Sequence, residues 1–174
     1  MNLPNDAYWV EEGRLLAGPY PGEKTETEAR ETLRKISDAG VTHFVDLTFP
    51  KGVDSDNLEP YEHLLEELPA DTRPGYSRRS IKDMNVPSPE LMAEILDVID
   101  RLISQDEVPY VHCWGGVGRT GTVVACHLIN SGMTPDEALD FLSSQRKGLK
   151  RGHRTSPETP GQENFVRNWN PGAT

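Results

Sequence analysis

The pattern of apolar residues along the chain predicts an α/β fold, in which helices flank one central, mostly parallel sheet. Segments rich in β-forming residues alternate with segments whose apolar residues recur at helical spacing, and this alternation is typical of a parallel sheet covered on both faces. The chain has 174 residues, a length that suits one domain, and no change of composition divides it. We therefore expect one domain over residues 1–174, with a short flexible tail at about residues 170–174.

The first half of the chain predicts two helices and two strands. Ala29, Leu33 and Ile36 recur at helical spacing, and Gly40 can end their helix. Val41 opens a run rich in β-forming residues, and the Pro, Gly and polar residues after that run favour a loop. The elements expected here are a helix over residues 25–39, a strand over 41–47, a loop over 50–57, a short helix over 61–68, a weaker strand over 76–82 and a loop over 83–87.

The second half predicts one further strand, which should be central in the sheet, and four helices. Ser88 can cap the first of these helices, and Pro89 suits its first position. Thr134 and Glu137 have the spacing of a capping box. The elements expected here are a helix after Ser88, a strand over residues 108–112, a glycine-rich turn over 113–119, an apolar helix over 120–130, a helix capped by Thr134, a loop over 148–161 and a last short helix.

The chain is acidic, and most of its excess charge lies in its first part. Residues 1–70 carry 15 acidic and 6 basic side chains, whereas residues 71–174 carry 13 and 12. The net charge of −10 argues against a general nucleic-acid binder, because phosphate backbones attract basic surfaces. Residues 146–154 nevertheless form a basic run without any acid. We interpret this run as a solvated helix end, with attraction of acidic or phosphorylated substrate as the alternative.

The sequence also favours a cytoplasmic protein. No apolar run approaches the roughly 20 residues that a membrane-spanning helix needs. The first residues have neither the basic start nor the apolar core of a signal peptide. Two cysteines cannot form a framework of several disulfides, which favours a reducing compartment.

The segment from Val111 to Gly121 carries the chemistry, because it joins a predicted strand to a predicted helix through three glycines. The free N–H groups and the dipole at the start of a helix attract an anion, and glycines let the backbone wrap closely around it. The same N–H groups should favour the thiolate form of Cys113, which is the nucleophilic form. Arg119 offers a planar fork that matches two oxygens of a phosphate.

These residues, His-Cys, five residues and then Arg-Thr, resemble the signature of the cysteine-dependent protein tyrosine phosphatase superfamily. The short chain is similar to the dual-specificity branch and the wording around Cys113 to its bacterial members, and the resemblance implies an enzyme that hydrolyses phosphate monoesters. It implies that Cys113 attacks phosphorus, that Thr120 steadies the thiolate and that His112 supports the loop. Arg119 and the loop amides would hold the phosphoryl oxygens; these amides belong to Trp114, Gly115, Gly116, Val117, Gly118 and Arg119.

The resemblance also implies a general acid and a residue that positions water. The family keeps its acid as an aspartate about thirty residues before the cysteine, and Asp83 lies 113 minus 83, or 30, residues upstream. A leaving oxygen needs a proton, which Asp83 would supply. Gln162 matches a glutamine that often positions the hydrolytic water, with a simple polar residue at the start of a helix as the alternative. No metal and no cofactor is needed, because sulfur performs the displacement.

Several other interpretations compete with this one. The letters from Gly116 to Gly121 also spell the dinucleotide pattern GxGxxG, but the acidic residue expected about 20 residues later would lie in a capped helix. A lone Cys113 would more often be a core thiol. The substrate predicted by default is phosphotyrosine in proteins, with phosphoserine or phosphothreonine as extras, and we expect a monomer. The alternatives are a phosphoinositide or other small phosphate ester, or a phosphate-binding module without turnover.

Overall fold

The central sheet of the protein has five strands: β1 (Tyr8–Glu11), β2 (Leu15–Gly18), β3 (His43–Asp46), β4 (Gly75–Arg78) and β5 (Pro109–His112). The structure is a computed structural model and describes residues 3–4, 6–54 and 56–171. Three of the four strand pairings are parallel, and only β1 and β2 are antiparallel. The predicted α/β fold with a mostly parallel sheet and a central strand before the glycine-rich turn is confirmed. In space the strands lie in the order β1-β2-β5-β3-β4.

The hairpin of β1 and β2 was not predicted from the sequence. Each strand has only four residues, and Leu15, Leu16 and Ala17 are all fully buried, so their pattern has no strand-like alternation. Gly13 makes the turn between them with φ of 70°, a conformation that glycine adopts without strain. Because β2 pairs in parallel with β5, the hairpin brings the residues after Gly18 beside the glycine-rich turn.

Six helices surround the sheet in the described ranges, and side chains cap most of their first turns. Thr25, Ser88, Thr134 and Thr159 each accept a hydrogen bond from a backbone N–H group in the helix that follows. The predicted cap at Ser88 and the predicted capping box at Thr134 are confirmed. The helices are α1 (Glu26–Asp38), α2 (Glu62–Leu65), α3 (Pro89–Ser104), α4 (Gly118–Asn130), α5 (Pro135–Gln145) and α6 (Pro160–Arg167).

The remaining differences from the predicted elements concern their ends. The helix predicted over residues 61–68 is a single turn, and the strands predicted over 41–47 and 76–82 keep four residues each. Helix α4 begins at Gly118, two residues earlier than predicted, so the arginine and threonine of the motif belong to its first turn. Of the predicted tail, residues 172–174 lie outside the described residues.

The two faces of the sheet bury different cores. One core packs the helices α3, α4, α5 and α6 against inward side chains of the sheet such as Leu15, Val45 and Val111. The other core joins α1 and α2 with a set rich in aromatic rings, namely Phe44, Tyr61 and Tyr110. No helix in the described part of the chain is long and apolar enough to span a membrane.

Candidate active site

The candidate site lies at the carboxyl edge of the parallel sheet, where β5 ends at His112 and α4 begins at Gly118. This edge is where open α/β sheets bind ligands, because loops and helix N-termini meet there. We call residues 113–117 the phosphate loop. All of the loop and the first turn of α4 are buried except Trp114 and Gly115.

A small cavity of about 50 Å³ opens above Cys113. Its walls bring together most of the residues that the sequence singled out: Asp83, Cys113, Trp114, Gly115, Gly118, Arg119 and Gln162. Four other predicted site residues do not line the cavity: His112, Gly116, Val117 and Thr120. The Cys113 side chain is almost fully buried, with 3% of its surface exposed.

Every carbonyl oxygen of the phosphate loop accepts a hydrogen bond from a group behind the loop. In chain order the donors are His112 Nδ1 to Cys113 at 3.4 Å, Tyr20 N to Trp114 at 3.0 Å, Arg151 Nη1 to Gly115 at 3.5 Å, Arg146 Nη1 to Gly116 at 2.8 Å and Ser156 Oγ to Val117 at 2.7 Å. In the part of the chain that the structure describes, the N–H groups of residues 114–119 have no acceptor. They therefore form a concave set of donors suited to an anion.

One glycine of the loop is required by both conformation and space. Gly116 has φ of 66°, in the left-handed region. A Cβ atom there would lie 2.5 Å from the carbonyl carbon of Gly18 and 2.7 Å from Pro19 N, both of them backbone atoms. The turn can therefore press against the end of β2 only because position 116 has no side chain.

Arg119 is buried with its guanidinium held by two carboxylates. Its Nη1 and Nη2 bind the two oxygens of Asp56 at 2.8 and 2.7 Å, and Nη1 also binds Ile81 O at 3.0 Å. Nη2 lies 2.9 Å from Asp83 Oδ1. Burial alone would lower the pKa of Arg119, but the hydrogen bonds to Asp56 and the charges of its neighbours raise it, so the side chain stays a cation.

Asp56 is a site residue that sequence reasoning missed. Its side chain is 1% exposed, and besides Arg119 it accepts a hydrogen bond from Phe49 N at 2.9 Å. Asp56 and Arg119 are 63 residues apart, and the loop over residues 50–57 contains one other aspartate, Asp54. The only signal in the sequence is that this loop follows β3, a neighbour of β5 in the sheet.

Asp83 lies on a loop that faces the cavity, as the predicted general acid should. Its side chain is 32% exposed, and the ion pair with Arg119 holds it beside the position of a bound phosphoryl group. The next residue, Met84, has φ of 62° and is half exposed, so this loop carries backbone strain at the cavity mouth.

The structure gives the Gln162 side chain a structural contact and leaves the Thr120 hydroxyl without a partner among the described residues. The Gln162 side chain completes the capping box of α6, accepting from Glu158 N and Thr159 N and donating to Asn85 O. It thus fills a helix-start role while it also lines the cavity and ties α6 to the loop of Asp83. Thr120 Oγ1 is buried and has no hydrogen-bond partner among the described residues, so no bond to the Cys113 sulfur is present.

His112 connects the phosphate loop to a buried polar network. Its Nε2 lies 2.6 Å from the Tyr61 hydroxyl, and its Nδ1 lies 3.4 Å from Cys113 O and 3.9 Å from Asp46. Burial raises the pKa of Tyr61 and lowers that of His112. A protonated Tyr61 hydroxyl can therefore donate to Nε2 of a neutral imidazole, which leaves the Nδ1 proton directed towards Cys113 O.

Asp46 is the carboxylate that anchors this network. Burial opposes its charge, but hydrogen bonds from Thr48 and Tyr76 favour the charged form, and the pKa of Asp46 is lowered overall. Arg78 adds an ion pair at 3.1 Å. Asp46 therefore remains ionised beneath the site and faces the imidazole that supports the loop.

The basic run over residues 146–154 is not a solvated helix end throughout. Arg146 is 2% exposed and donates to Gly116 O and Arg151 O, so the interpretation as solvated side chains is wrong for it. Lys147 and Lys150 are exposed, and Arg154 lines the cavity of Cys113. Cys126 is buried in α4, which raises the pKa of its thiol, and it belongs to the core. No group of His, Cys, Asp and Glu within the described residues is arranged to hold a metal ion.

A family model described as "Polymorphic toxin system, DSP-PTPase phosphatase" matches residues 20–133, which include the Asp83 loop, the phosphate loop and α4. The chain is 27% identical over 160 residues to a "Phosphatidylinositol 3,4,5-trisphosphate 3-phosphatase and protein-tyrosine-phosphatase PTEN1" of Arabidopsis thaliana, with 90% of this chain and 35% of the relative covered. It is 28% identical over 173 residues to "Putative tyrosine phosphatase 067L" of Invertebrate iridescent virus 3, with 93% and 64% covered. The chain thus spans between about one third and two thirds of the length of these curated relatives.

Solved structures share the fold. "Tk-PTP in the active form" superposes with a TM-score of 0.69 at 24% identity, covering 93% of this chain and 94% of the other. "PTPMT1 in complex with PI(5)P" superposes with a TM-score of 0.68 at 18% identity, covering 92% of each chain. At these identities the likeness establishes the fold alone.

Proposed function

The chain belongs to the DSP-PTPase phosphatase family whose model it matches, and from that premise we propose that it hydrolyses phosphate monoesters through a cysteinyl-phosphate intermediate. One observation carries the proposal. Cys113 lies at the floor of a cavity whose walls include free loop amides, Arg119 and Asp83, so nucleophile, oxyanion donors and acid converge on one small volume.

In the first step the Cys113 thiolate attacks phosphorus in line with the leaving oxygen. The P–O ester bond breaks as the P–S bond forms, and Asp83 gives its proton to the leaving oxygen. Arg119 and the N–H groups of residues 114–119 stabilise the charge on the equatorial oxygens. The phosphoryl group would take over the contact with Arg119 that Asp83 makes here, which frees the carboxyl group for the leaving oxygen.

In the second step water attacks phosphorus while Asp83, now a carboxylate, accepts a proton from that water. The P–S bond breaks, the thiolate of Cys113 returns, and inorganic phosphate leaves. The Gln162 amide lines the same cavity, and the buried Thr120 hydroxyl has no partner among the described residues. We assign Gln162 to the placing of this water and Thr120 to support of the thiolate, although Gln162 also completes the capping box of α6.

The substrate that we propose is phosphotyrosine in proteins, with phosphoserine or phosphothreonine as further substrates. Trp114 and Val117 occupy the variable positions of the loop, and neither is cationic, so the loop itself offers no site for the extra phosphates of a polyphosphorylated ligand. An exposed Trp114 at the mouth suits an aromatic side chain. We further propose one domain over residues 1–174 that acts as a monomer in the cytoplasm.

Replacement of the nucleophile tests the chemistry. We expect Cys113→Ser to abolish hydrolysis of p-nitrophenyl phosphate while inorganic phosphate still binds, because the donors that hold the oxygens remain. Turnover measured by absorbance and phosphate binding measured by calorimetry report the two properties separately. The buried Cys126→Ser is the matched control and should keep turnover. Turnover at the wild-type rate in Cys113→Ser would refute the mechanism.

The same assay assigns the acid through the leaving group. We expect Asp83→Asn to lower kcat by about 10² with a poor, high-pKa leaving group and by much less with a good one, because only the poor one needs the proton. Asp54→Asn, on a neighbouring exposed loop, is the control. An equal loss with both leaving groups would mean that another residue is the acid.

A further inference from the structure

A second, larger groove adjoins the catalytic cavity and shares one wall with it. Its volume is about 510 Å³, and it is bordered by the loop after β2, by residues 57–59 and by the loop between α5 and α6. Trp114 lines both this groove and the cavity of Cys113. The groove and the cavity therefore meet at Trp114.

Three cations from two distant parts of the sequence line this groove: Lys24, Lys150 and Arg151. None of them forms a salt bridge with a described residue, although most other basic side chains near the site do. The Arg151 guanidinium reaches Gly115 O at 3.5 Å, which fixes one cation beside the phosphate loop. Lys150 and Arg151 belong to the basic run, so this run borders the groove.

Acidic residues also border the groove, and each accepts a hydrogen bond or forms an ion pair. Asp6 is buried and accepts a hydrogen bond from Arg151 N at 2.8 Å. Glu59 forms an ion pair with Lys51, and Glu23 accepts a hydrogen bond from Thr32. Only Glu59 among these carboxylates is paired with a cation in the described residues, so the three basic side chains face the unpaired charges of Asp6 and Glu23. The excess of one positive charge suits one anionic group, whereas a ligand with several phosphates would also meet Glu23 and Glu59.

We propose that this groove binds a second anionic side chain of the substrate protein, a carboxylate or a phosphate close in sequence to the phosphotyrosine. The substrate chain passes over Trp114, whose side chain is 56% exposed and therefore open to contact with a substrate. Lys24 and Lys150 attract the second anion, and Arg151 receives it beside the loop. This inference rests on the proposed function, because it names the class of protein substrate for the same catalytic cavity.

The test compares phosphotyrosine peptides that differ only in the residues beside the phosphotyrosine: neutral, glutamate or phosphoserine. We expect the wild-type protein to prefer the acidic peptides about fivefold in kcat/KM, since exposed ion pairs are individually weak. The double variant Lys24→Glu, Lys150→Glu should reverse this ratio. Lys147→Glu, an exposed lysine of the same run outside the groove, should keep it. The preference should shrink in 0.5 M NaCl, because salt screens exposed charges.

The outcomes separate this inference from the proposed function. If the wild type hydrolyses p-nitrophenyl phosphate but treats all peptides alike, the groove is not a substrate site. If the double variant keeps the acidic preference, other residues produce it and the inference is wrong. A higher kcat/KM on phosphoinositide vesicles than on any peptide would assign the groove to a lipid headgroup instead. A wild type without turnover on any ester would refute the proposed function itself.

Discussion

The two sides of the phosphate loop are held by different kinds of groups. Behind the loop, each of its five carbonyl oxygens binds a donor fixed on another element. In front of it, the amides have no acceptor among the described residues, and Arg119 pairs with Asp56 and Asp83, which come from two loops. The back is a rigid support, whereas the front consists of contacts that an anion can replace.

Two buried arginines make this contrast concrete. Arg146 supports the back and donates to the backbone carbonyls of Gly116 and Arg151. Arg119 faces the front and binds carboxylates. A guanidinium held by carbonyls keeps its partners throughout a reaction, but one held by carboxylates can exchange Asp83 for a phosphate of similar charge. The two arginines are equally buried, but their partners fit a structural role for Arg146 and the catalytic role that we propose for Arg119.

The largest effect should come from the front. We expect Arg119→Lys to lower kcat/KM for p-nitrophenyl phosphate by about 10³, because a lysine cannot bind two phosphoryl oxygens in one plane. That loss corresponds to about 4 kcal/mol of transition-state stabilisation. Steady-state kinetics give the loss, and thermal unfolding shows whether the variant is folded. Arg167→Lys, remote from the cavity, is the control. A loss of less than tenfold would contradict the assignment of Arg119 to the front.

The back should respond in stability first. We expect Arg146→Met to lower the free energy of unfolding by about 3 kcal/mol, because two buried carbonyl oxygens lose their donor. Denaturant titration measures this change, and kcat/KM of the folded fraction should fall less than in Arg119→Lys. Lys147→Met changes the adjacent exposed residue and should cost little. If Arg146→Met left stability unchanged, the carbonyl contacts would not support the loop.

The same contrast explains what could be predicted from the sequence. Cys113, Arg119 and the three glycines lie within seven residues, so local spacing reveals them, and Asp83 is found at a fixed offset on a recognisable loop. Much of the back is assembled by tertiary contacts that no local pattern encodes: Tyr20 follows a hairpin too short to show periodicity, and Arg146 lies inside a run that looks solvated. Asp56 was missed for the same reason, because only folding brings its loop to Arg119.

The smallest effect concerns His112, which holds the first carbonyl of the loop. Burial lowers the pKa of His112 below its ordinary value of about 6.5, so the folded protein keeps the imidazole neutral where the unfolded chain takes up a proton. The unfolded state then binds more protons, and stability must fall as pH decreases from 7 to 5. We expect this fall to be smaller in His112→Asn, by at most about 1.4 kcal/mol for each unit of pKa difference. Denaturant titrations at several pH values measure it.

Other titrating groups near this imidazole do not obscure the comparison. The pKa of Asp46 is lowered, so its protonation destabilises the fold only at pH values below the ordinary carboxyl range, outside the window from 5 to 7. Burial also lowers the pKa of His43, but that residue is present in both proteins and its contribution cancels. Equal slopes in the wild type and His112→Asn would mean that His112 takes up its proton in the folded state as readily as in the unfolded chain. The carbonyl of Cys113 would then be held by a group that changes charge near neutral pH, and the back of the loop would not be the fixed support that its hydrogen bonds indicate.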